Sequence, residues 1–476
     1  MKKIFILIIS FILFFSACTK DISRFNVETK NAATVPAGPL FTNAVRNLSD
    51  ALASANVNVN IFRHFVKYWA QAVIEEEAQY DYTTRAINDN WWRVMYKDVL
   101  NDLQGSALII SKDATLSPGN KSNQLAMVDI MQVYTFDILI KTFGDIPYSE
   151  ALNAKILFPK YDDAQTVYYD LLKRLGEDIT NLNPSAGGFS STEDIIYHGD
   201  VSKWIAFANS LKLRMAMTLA DVDDSTAKTD FEQANSGAIN AEDENAFIQY
   251  YSSPPNTNPL YNQLVLANRT DFIAAKDLID VLKELHDPRL PGYFGTNDVG
   301  EYVGGVVGVP SNYPGMSKPS ARVAAPDAPN MLIDLVEVEF LRAEAKERGY
   351  NIPGTAEEHY DKAIEYSILE WGGTDAEAEA YLKQPLVAYS TALGDWKQKI
   401  GLQKWIALYN RPFEAWTEMR RLDHPQLPLA VNAVSGFPNR FRYPTSEQQL
   451  NNANYIKAVA KMGGDETEKK LFWDIY

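Results

Sequence analysis

In Ala356-Glu357-Glu358-His359-Tyr360-Asp361-Lys362-Ala363, a small residue is followed by an aromatic four positions on and by a second small residue three further. The same spacing occurs in Ala164-x3-Tyr168-x2-Leu171 and in Ala227-x3-Phe231-x2-Ala234. It is the pattern of the second helix of a tetratricopeptide-like pair, where the small residue lets the partner helix approach and the aromatic fills the gap above it. Each of the three stretches follows another amphipathic segment. Their intervals are unequal, which excludes a regular solenoid and predicts a helical scaffold of repeat-like hairpins with large insertions.

Outward from these segments the chain keeps a helical period. Apolar residues step by three and four through 59–73, 91–108, 125–140, 167–182, 201–219, 272–285, 332–345, 356–368 and 398–409, which places them along one helix face. There is no comparable series of alternating strand segments. The expected class is all-α, or mainly α, with tetratricopeptide-like helix pairs packed against an irregular, loop-rich half. Trp69, Trp204, Trp405 and Trp416 lie on helical apolar stripes and are assigned to the core.

At the N-terminus, Lys2 and Lys3 precede an apolar run over 4–15, interrupted only by Ser10, and then Phe15-Ser16-Ala17-Cys18. This is the charged, apolar, small-residue order of a secretory signal. The run is shorter than the roughly 20 residues a membrane-spanning helix needs. Cys18, the single cysteine of 476 residues, stands where a bacterial lipoprotein signal places its acylated thiol. Residues 1–17 are therefore expected to be a signal peptide and Cys18 the lipidation site. Residues 18–39, with Pro36, Gly38 and Pro39, are expected to form a tether, and 40–476 a single domain. One cysteine cannot form an internal disulfide, so stability must come from the core. The formal charge of −16 repels nucleic acid and anionic membrane faces, which leaves the lipid as the only expected membrane contact.

Signatures of catalysis are missing. The chain has no His-Glu-x-x-His, Gly-x-Ser-x-Gly, Gly-x-Gly-x-x-Gly or phosphate-loop motif. His64, His198, His286, His359 and His424 lack metal-ligand spacing, so no metal and no cofactor is expected. Glu75-Glu76-Glu77 reads as a solvated face. Asp221-x-Asp223-Asp224 reads as a helix end, because the glycine and distal glutamate of a calcium loop are absent.

An ordered set of segments resembles the SusD/RagB family of nutrient-binding outer-membrane lipoproteins of Bacteroidetes. These are Phe143-Gly144-Asp145-Ile146-Pro147-Tyr148-Ser149-Glu150-Ala151-Leu152, then His198-Gly199-Asp200-Val201-Ser202-Lys203-Trp204 and Ala208-Asn209-Ser210-Leu211-Lys212-Leu213-Arg214-Met215-Ala216. Further on come Glu339-Phe340-Leu341-Arg342-Ala343-Glu344-Ala345, Gln403-Lys404-Trp405-Ile406-Ala407-Leu408-Tyr409, Glu414-Ala415-Trp416-Thr417-Glu418-Met419-Arg420-Arg421 and Arg440-Phe441-Arg442-Tyr443-Pro444-Thr445-Ser446-Glu447-Gln448. The likeness is closest to the SusD-like branch that carries the Trp91-Trp92-Arg93 segment. It implies four tetratricopeptide-like helix pairs, an oligosaccharide or peptide ligand, no catalytic centre, and a TonB-dependent (SusC-like) outer-membrane transporter over which the protein sits as a lid. Lys20-Asp21 resembles the short signal that sends such lipoproteins to the cell exterior.

Three segments rich in Tyr, Gly, Pro and Asn are where a ligand is expected, near 80–91, 250–259 and 287–328. A sugar ring offers a C–H patch that an aromatic ring can cover while amides and carboxylates bond the hydroxyls. The candidate ligand-binding residues are Tyr80, Tyr82, Asn88, Trp91, Tyr251, Tyr293, Tyr302 and Tyr313, bounding a shallow depression. Of Trp91 and Trp92, at least one is expected to pack. The rival reading is an extracytoplasmic helical-toroid glycan hydrolase or lyase, which would need two carboxylates across a cleft.

Overall fold

A computed structural model describes residues 35–73 and 76–476. Residues 1–17, expected to be a signal peptide, and Cys18 and Lys20-Asp21 lie outside the described residues. The first helix, α1, is Ala37–Ala53, so it begins inside the stretch expected to be tether. Pro36 stands at its N-cap, and Pro39 sits in the first turn, where a missing N–H costs nothing. The turn lies close to a neighbouring segment: the Thr42 hydroxyl donates to the Glu193 carbonyl (2.7 Å) and the Ser106 hydroxyl to that of Ala37 (2.9 Å).

The chain then runs through a one-turn helix, α2 (Phe62–Phe65), and a long helix in three parts: α3 (Ile87–Arg93), a π-helical turn (Val94–Leu100) and α4 (Asn101–Lys112). After these come α5 (Pro118–Phe143), α6 (Ala164–Asn181), α7 (Val201–Leu219), α8 (Asp224–Asn235) and α9 (Lys276–Glu284). The last third adds α10 (Leu335–Glu347), α11 (Ala356–Glu370), α12 (Trp396–Ala407), α13 (Pro412–Leu422), α14 (Thr445–Leu450) and α15 (Asn452–Met462). Among the described residues, α5/α6, α7/α8, α10/α11 and α12/α13 pack as four hairpins, the second and third separated by α9 and the strands. The three motif helices are α6, α8 and α11, each second in its pair, with Tyr168, Phe231 and Tyr360 buried between the helices.

Side chains set where these helices start. Asp163, Asp200, Asp223 and Asp334 each accept a backbone N–H of the first turn, and Thr355 with Glu358 forms a reciprocal capping box. The acid at 223 is thus a helix start, and Asp221 pairs with Arg348. Glu77 departs from expectation. It is buried against Gln71 and Arg85 rather than solvated.

Three expected helices are partly strand. Residues 59–73 hold only α2 before β1 (Trp69–Gln71), and 272–285 opens with β3 (Phe272–Ala274), which pairs antiparallel to β1 with Trp69 opposite Ala274. Likewise β4 (Asn330–Ile333) precedes α10 and pairs with β2 (Ala246–Ile248). These short strands are buried at every position but Phe247 and Met331, so their apolar spacing carries little face preference and cannot separate a buried strand from a helix.

Aromatic packing joins the helical half to the irregular one. Phe62 has Trp91, Phe413, Trp416 and Phe441 around it at 5.0–5.3 Å. The Trp405 indole donates to the Val66 carbonyl at 2.9 Å. Trp69, Trp204, Trp405 and Trp416 are all buried, as expected. Between the hairpin helices runs a buried ionic lattice. Arg214 and Arg411 share Glu337 (2.6 and 2.8 Å), Arg411 also holds Asp334 (2.7 Å), and Lys404 and Arg421 share Glu418 (2.7 and 2.6 Å). Burial alone would raise the Glu418 carboxyl, but Arg421 and Lys404 overcome it and hold it below its ordinary value.

Candidate functional site

Five of the eight candidate residues face inward. Tyr80 is buried edge-on to Phe65, and its hydroxyl accepts the Ala430 N–H at 3.0 Å. Tyr82 stacks on Phe441 at 5.1 Å. Asn88 is buried and donates to the Tyr443 carbonyl at 3.2 Å. Trp91 packs against Phe62 and donates to Thr142 Oγ1 at 3.3 Å. Tyr293 stacks on Tyr409 at 4.2 Å and donates to the Ile406 carbonyl at 2.8 Å. These are corrections to the sequence reading. Gly, Pro and Asn beside an aromatic mark a turn, but the turn can fold the ring into the core, as it does for Tyr80, Tyr82, Trp91 and Tyr293, while the Asn88 amide is used up inside the fold.

Tyr251, Tyr302 and Tyr313 remain at the surface. Tyr251 is 64% exposed on the 250–259 turn, while Tyr302 and Tyr313 are half-buried on the 287–328 insertion. The insertion is not free chain. Gly305 N–H donates to the Ala274 carbonyl and Lys276 N–H to that of Gly305, both at 2.8 Å, which adds a strand-like rung beside β3. A Cβ at Gly304 would stand 2.5 Å from the Lys276 backbone, so only glycine allows this approach. Ser317 ties the rung to the next turn through the Val303 carbonyl (2.8 Å). The insertion reaches both other segments: Gln79 donates to the Gly308 carbonyl at 2.9 Å, and Asn258 N–H to that of Pro326 at 2.7 Å.

On this frame Tyr313 forms a shelf. Lys318 Nζ stands 5.0 Å from its ring centroid and 3.1 Å from Asp298 Oδ1. Burial, followed by the charges of Asp271 and Asp298, raises the Tyr313 hydroxyl above its ordinary value, so it stays a neutral donor. Asp271 is itself paired with Arg269, whose guanidinium lies 5.0 Å over Phe272. Ser311 N–H donates to the Ala72 carbonyl at 3.0 Å, fixing the turn that carries exposed Asn312 and the shelf. A half-buried ring, the Lys318 ammonium, the exposed Asp298 carboxylate and the Asn312 amide thus lie together at the surface, which is what a flexible polyol chain requires.

A second feature escaped the sequence reading. At the ends of α11 and α12 a cavity of about 100 Å³ is lined by Trp371, Glu370, Asp334, Arg322 and Arg411 among others. Burial, then the charge of Asp334, pushes the Glu370 carboxyl up to about 8 against the pull of Arg411 and Arg322. Both Asp334 oxygens are engaged by Arg411, and Oδ1 also caps α10. Trp371 sits in a helix C-cap followed by Gly372-Gly373, a pattern that marks a helix end and gives no hint of a cavity. Among the described residues no group of three or more His, Cys, Asp or Glu could hold a metal ion, and no helix is long and apolar enough to cross a membrane.

Residues 29–444 match the family model SusD-like_2, described as "Starch-binding associating with outer membrane". Solved structures share the fold along nearly their whole lengths. A structure named as a chitin-binding protein is 26% identical over 92% of this chain and 100% of its own, with a TM-score of 0.78. A SusD homologue from Bacteroides ovatus is 27% identical over 92% and 99%, with a TM-score of 0.77. A chitin-binding SusD homologue from Flavobacterium johnsoniae is 24% identical over 92% and 98%, with a TM-score of 0.79. No curated protein matches the chain.

Proposed function

The chain belongs to the SusD-like family, described as starch-binding and associating with the outer membrane, and from that premise we propose that it is a lipoprotein of the cell exterior that captures oligosaccharide. It is anchored through Cys18 and passes its ligand to a TonB-dependent, SusC-like transporter over which it closes as a lid. The observation that carries the binding reading is the Tyr313 shelf, where a half-buried aromatic ring stands beside Lys318, Asp298 and Asn312 on a hydrogen-bonded frame. The chitin-binding name of a structure 26% identical favours an N-acetylated glucan among the candidates; a starch-type α-glucan is the alternative the family description supports.

The protein acts by binding rather than by cleavage. The hydrolase or lyase alternative would call on Glu370 and Asp334, and Asp334 is already consumed by Arg411 and by the start of α10. Titration calorimetry with chitin and maltose oligosaccharides tests the binding reading, and product analysis after prolonged incubation with the same sugars tests the absence of cleavage.

A further inference from the structure

On a different part of the molecule, the loop over 144–162 folds across the π-helical turn Val94–Leu100 and leaves a groove of about 400 Å³. That is inside the range of about 300 to 1,000 Å³ typical of small-molecule sites. Half-buried Tyr96 lines it together with the small part of Trp92, 8% exposed, that reaches the surface, their ring centroids 4.7 Å apart and tilted by 44°. The Tyr96 hydroxyl is fixed by donation to the Pro147 carbonyl at 2.6 Å, and Trp92 is braced edge-on by Phe143 at 4.9 Å. Trp91, one residue earlier and about 100° around the helix, points into the core instead.

The groove has the marks of a built site. Its wall is a π-helical turn, a form concentrated at functional positions. The facing loop holds Leu152 at φ +59°, a conformation a leucine adopts only when its surroundings impose it. The root of that loop is stapled: Asp162 accepts the backbone N–H groups of Tyr148 and Ser149 at 3.2 and 2.8 Å. Lys97 and Asn101 line the groove as exposed side chains with no partner among the described residues. Glu447 takes Tyr161 and Asn451 on Oε2, leaving Oε1 for an incoming donor. Beside the groove, Phe158 is 57% exposed, and its carbonyl and that of Pro159 are held by Asn454.

We propose that this groove is a second carbohydrate-binding site. One pyranose unit rests against Tyr96 and the rim of Trp92 with its hydroxyls shared among Lys97, Asn101 and Glu447, and the chain leaves over Phe158. A single lysine on a chain of charge −16 does not suit a phosphorylated ligand, and aromatic walls with separate donors and acceptors suit a neutral polyol. The ligand class rests on the glycan-binding reading; the site shares no residue with the Tyr313 shelf.

The test is calorimetry on the full chain with N-acetylchitohexaose and with maltohexaose, in wild type and in a Tyr313→Ala background. The expected result is binding that survives Tyr313→Ala and is then weakened at least tenfold by combined Lys97→Ala and Asn101→Ala, and also by Phe158→Ala. All three side chains are exposed, so melting temperatures should not move. Binding that Tyr313→Ala abolishes, or residual binding indifferent to the groove variants, overturns the groove and leaves the shelf standing. A wild-type chain that binds neither sugar overturns the ligand class at both places. Binding of an extended peptide that the groove variants remove, with no sugar competing, assigns the groove to peptide and overturns the proposal.

Discussion

Arg421 grips Glu344 with both arms, Nη1 to Oε1 at 2.6 Å and Nη2 to Oε2 at 2.5 Å, and both side chains are buried. The pair fastens α13 to α10, and Glu344 also receives Arg348 at 2.8 Å. Cutting one partner of a buried pair leaves an uncompensated charge, a loss of about 3–5 kcal/mol. Glu344→Gln should therefore lower the urea midpoint strongly. Glu344→Leu combined with Arg421→Met should lose much less than the two single changes added together. Additive losses in the double mutant would show that the residues do not act as a pair.

Glu370 gives the protein a pH signature. Its carboxyl titrates near 8 in the folded chain against an ordinary value of about 4.5 unfolded. Between those values the folded state binds the extra proton. The contribution is therefore fully present below about pH 4.5, falls as pH rises, and is gone above about pH 8, with a slope approaching ~1.4 kcal/mol per pH unit. Glu370→Gln should flatten the decline in melting temperature between pH 5 and 8 relative to wild type. Identical pH profiles would place Glu370 in ordinary solvent.

The buried candidates separate from the exposed ones by stability. Trp91→Ala and Tyr293→Ala should each cost about 3–5 kcal/mol of folding free energy, read by denaturant titration. Tyr251→Ala and Tyr313→Ala should stay within about 1 kcal/mol of wild type.

These contrasts follow from what a sequence can carry. The hairpins were legible because Tyr168, Phe231 and Tyr360 sit at a fixed offset from a small residue, and that offset is a helix-packing rule. The family-like segments were legible partly because they hold five members of the buried ionic network: Arg214, Glu344, Lys404, Glu418 and Arg421 all fall within them. Ring direction was not legible. Trp91 and Trp92 are adjacent in the same motif and both are buried, yet only Trp92 reaches a groove at its rim, and the packing of α3 decides between them. The shelf and groove are built from hydrogen bonds between distant segments, such as Gln79 with Gly308 and Asn454 with Phe158, which leave no local pattern.

The N-terminal reading has its own check. Cys18→Ala should abolish incorporation of a clickable fatty acid and release the protein from the outer membrane. Label retained by the variant would contradict the lipoprotein assignment.

If the chain serves as a lid, extraction in mild detergent should recover it with a TonB-dependent barrel, through an interface above roughly 2,000 Å². Recovery only as a free monomer, under conditions that preserve other such assemblies, would count against the partner.

The central claim is that this protein holds oligosaccharide on the Tyr313 shelf. Titration calorimetry of wild type against Tyr313→Ala with N-acetylchitohexaose and maltohexaose tests it most directly. The account predicts that one of the two sugars binds wild type, and that Tyr313→Ala weakens the tightest event by about 1–3 kcal/mol, roughly ten- to a hundredfold, with an unchanged melting temperature. Wild-type affinity in the Tyr313→Ala chain, or no binding of either sugar by wild type, would contradict it.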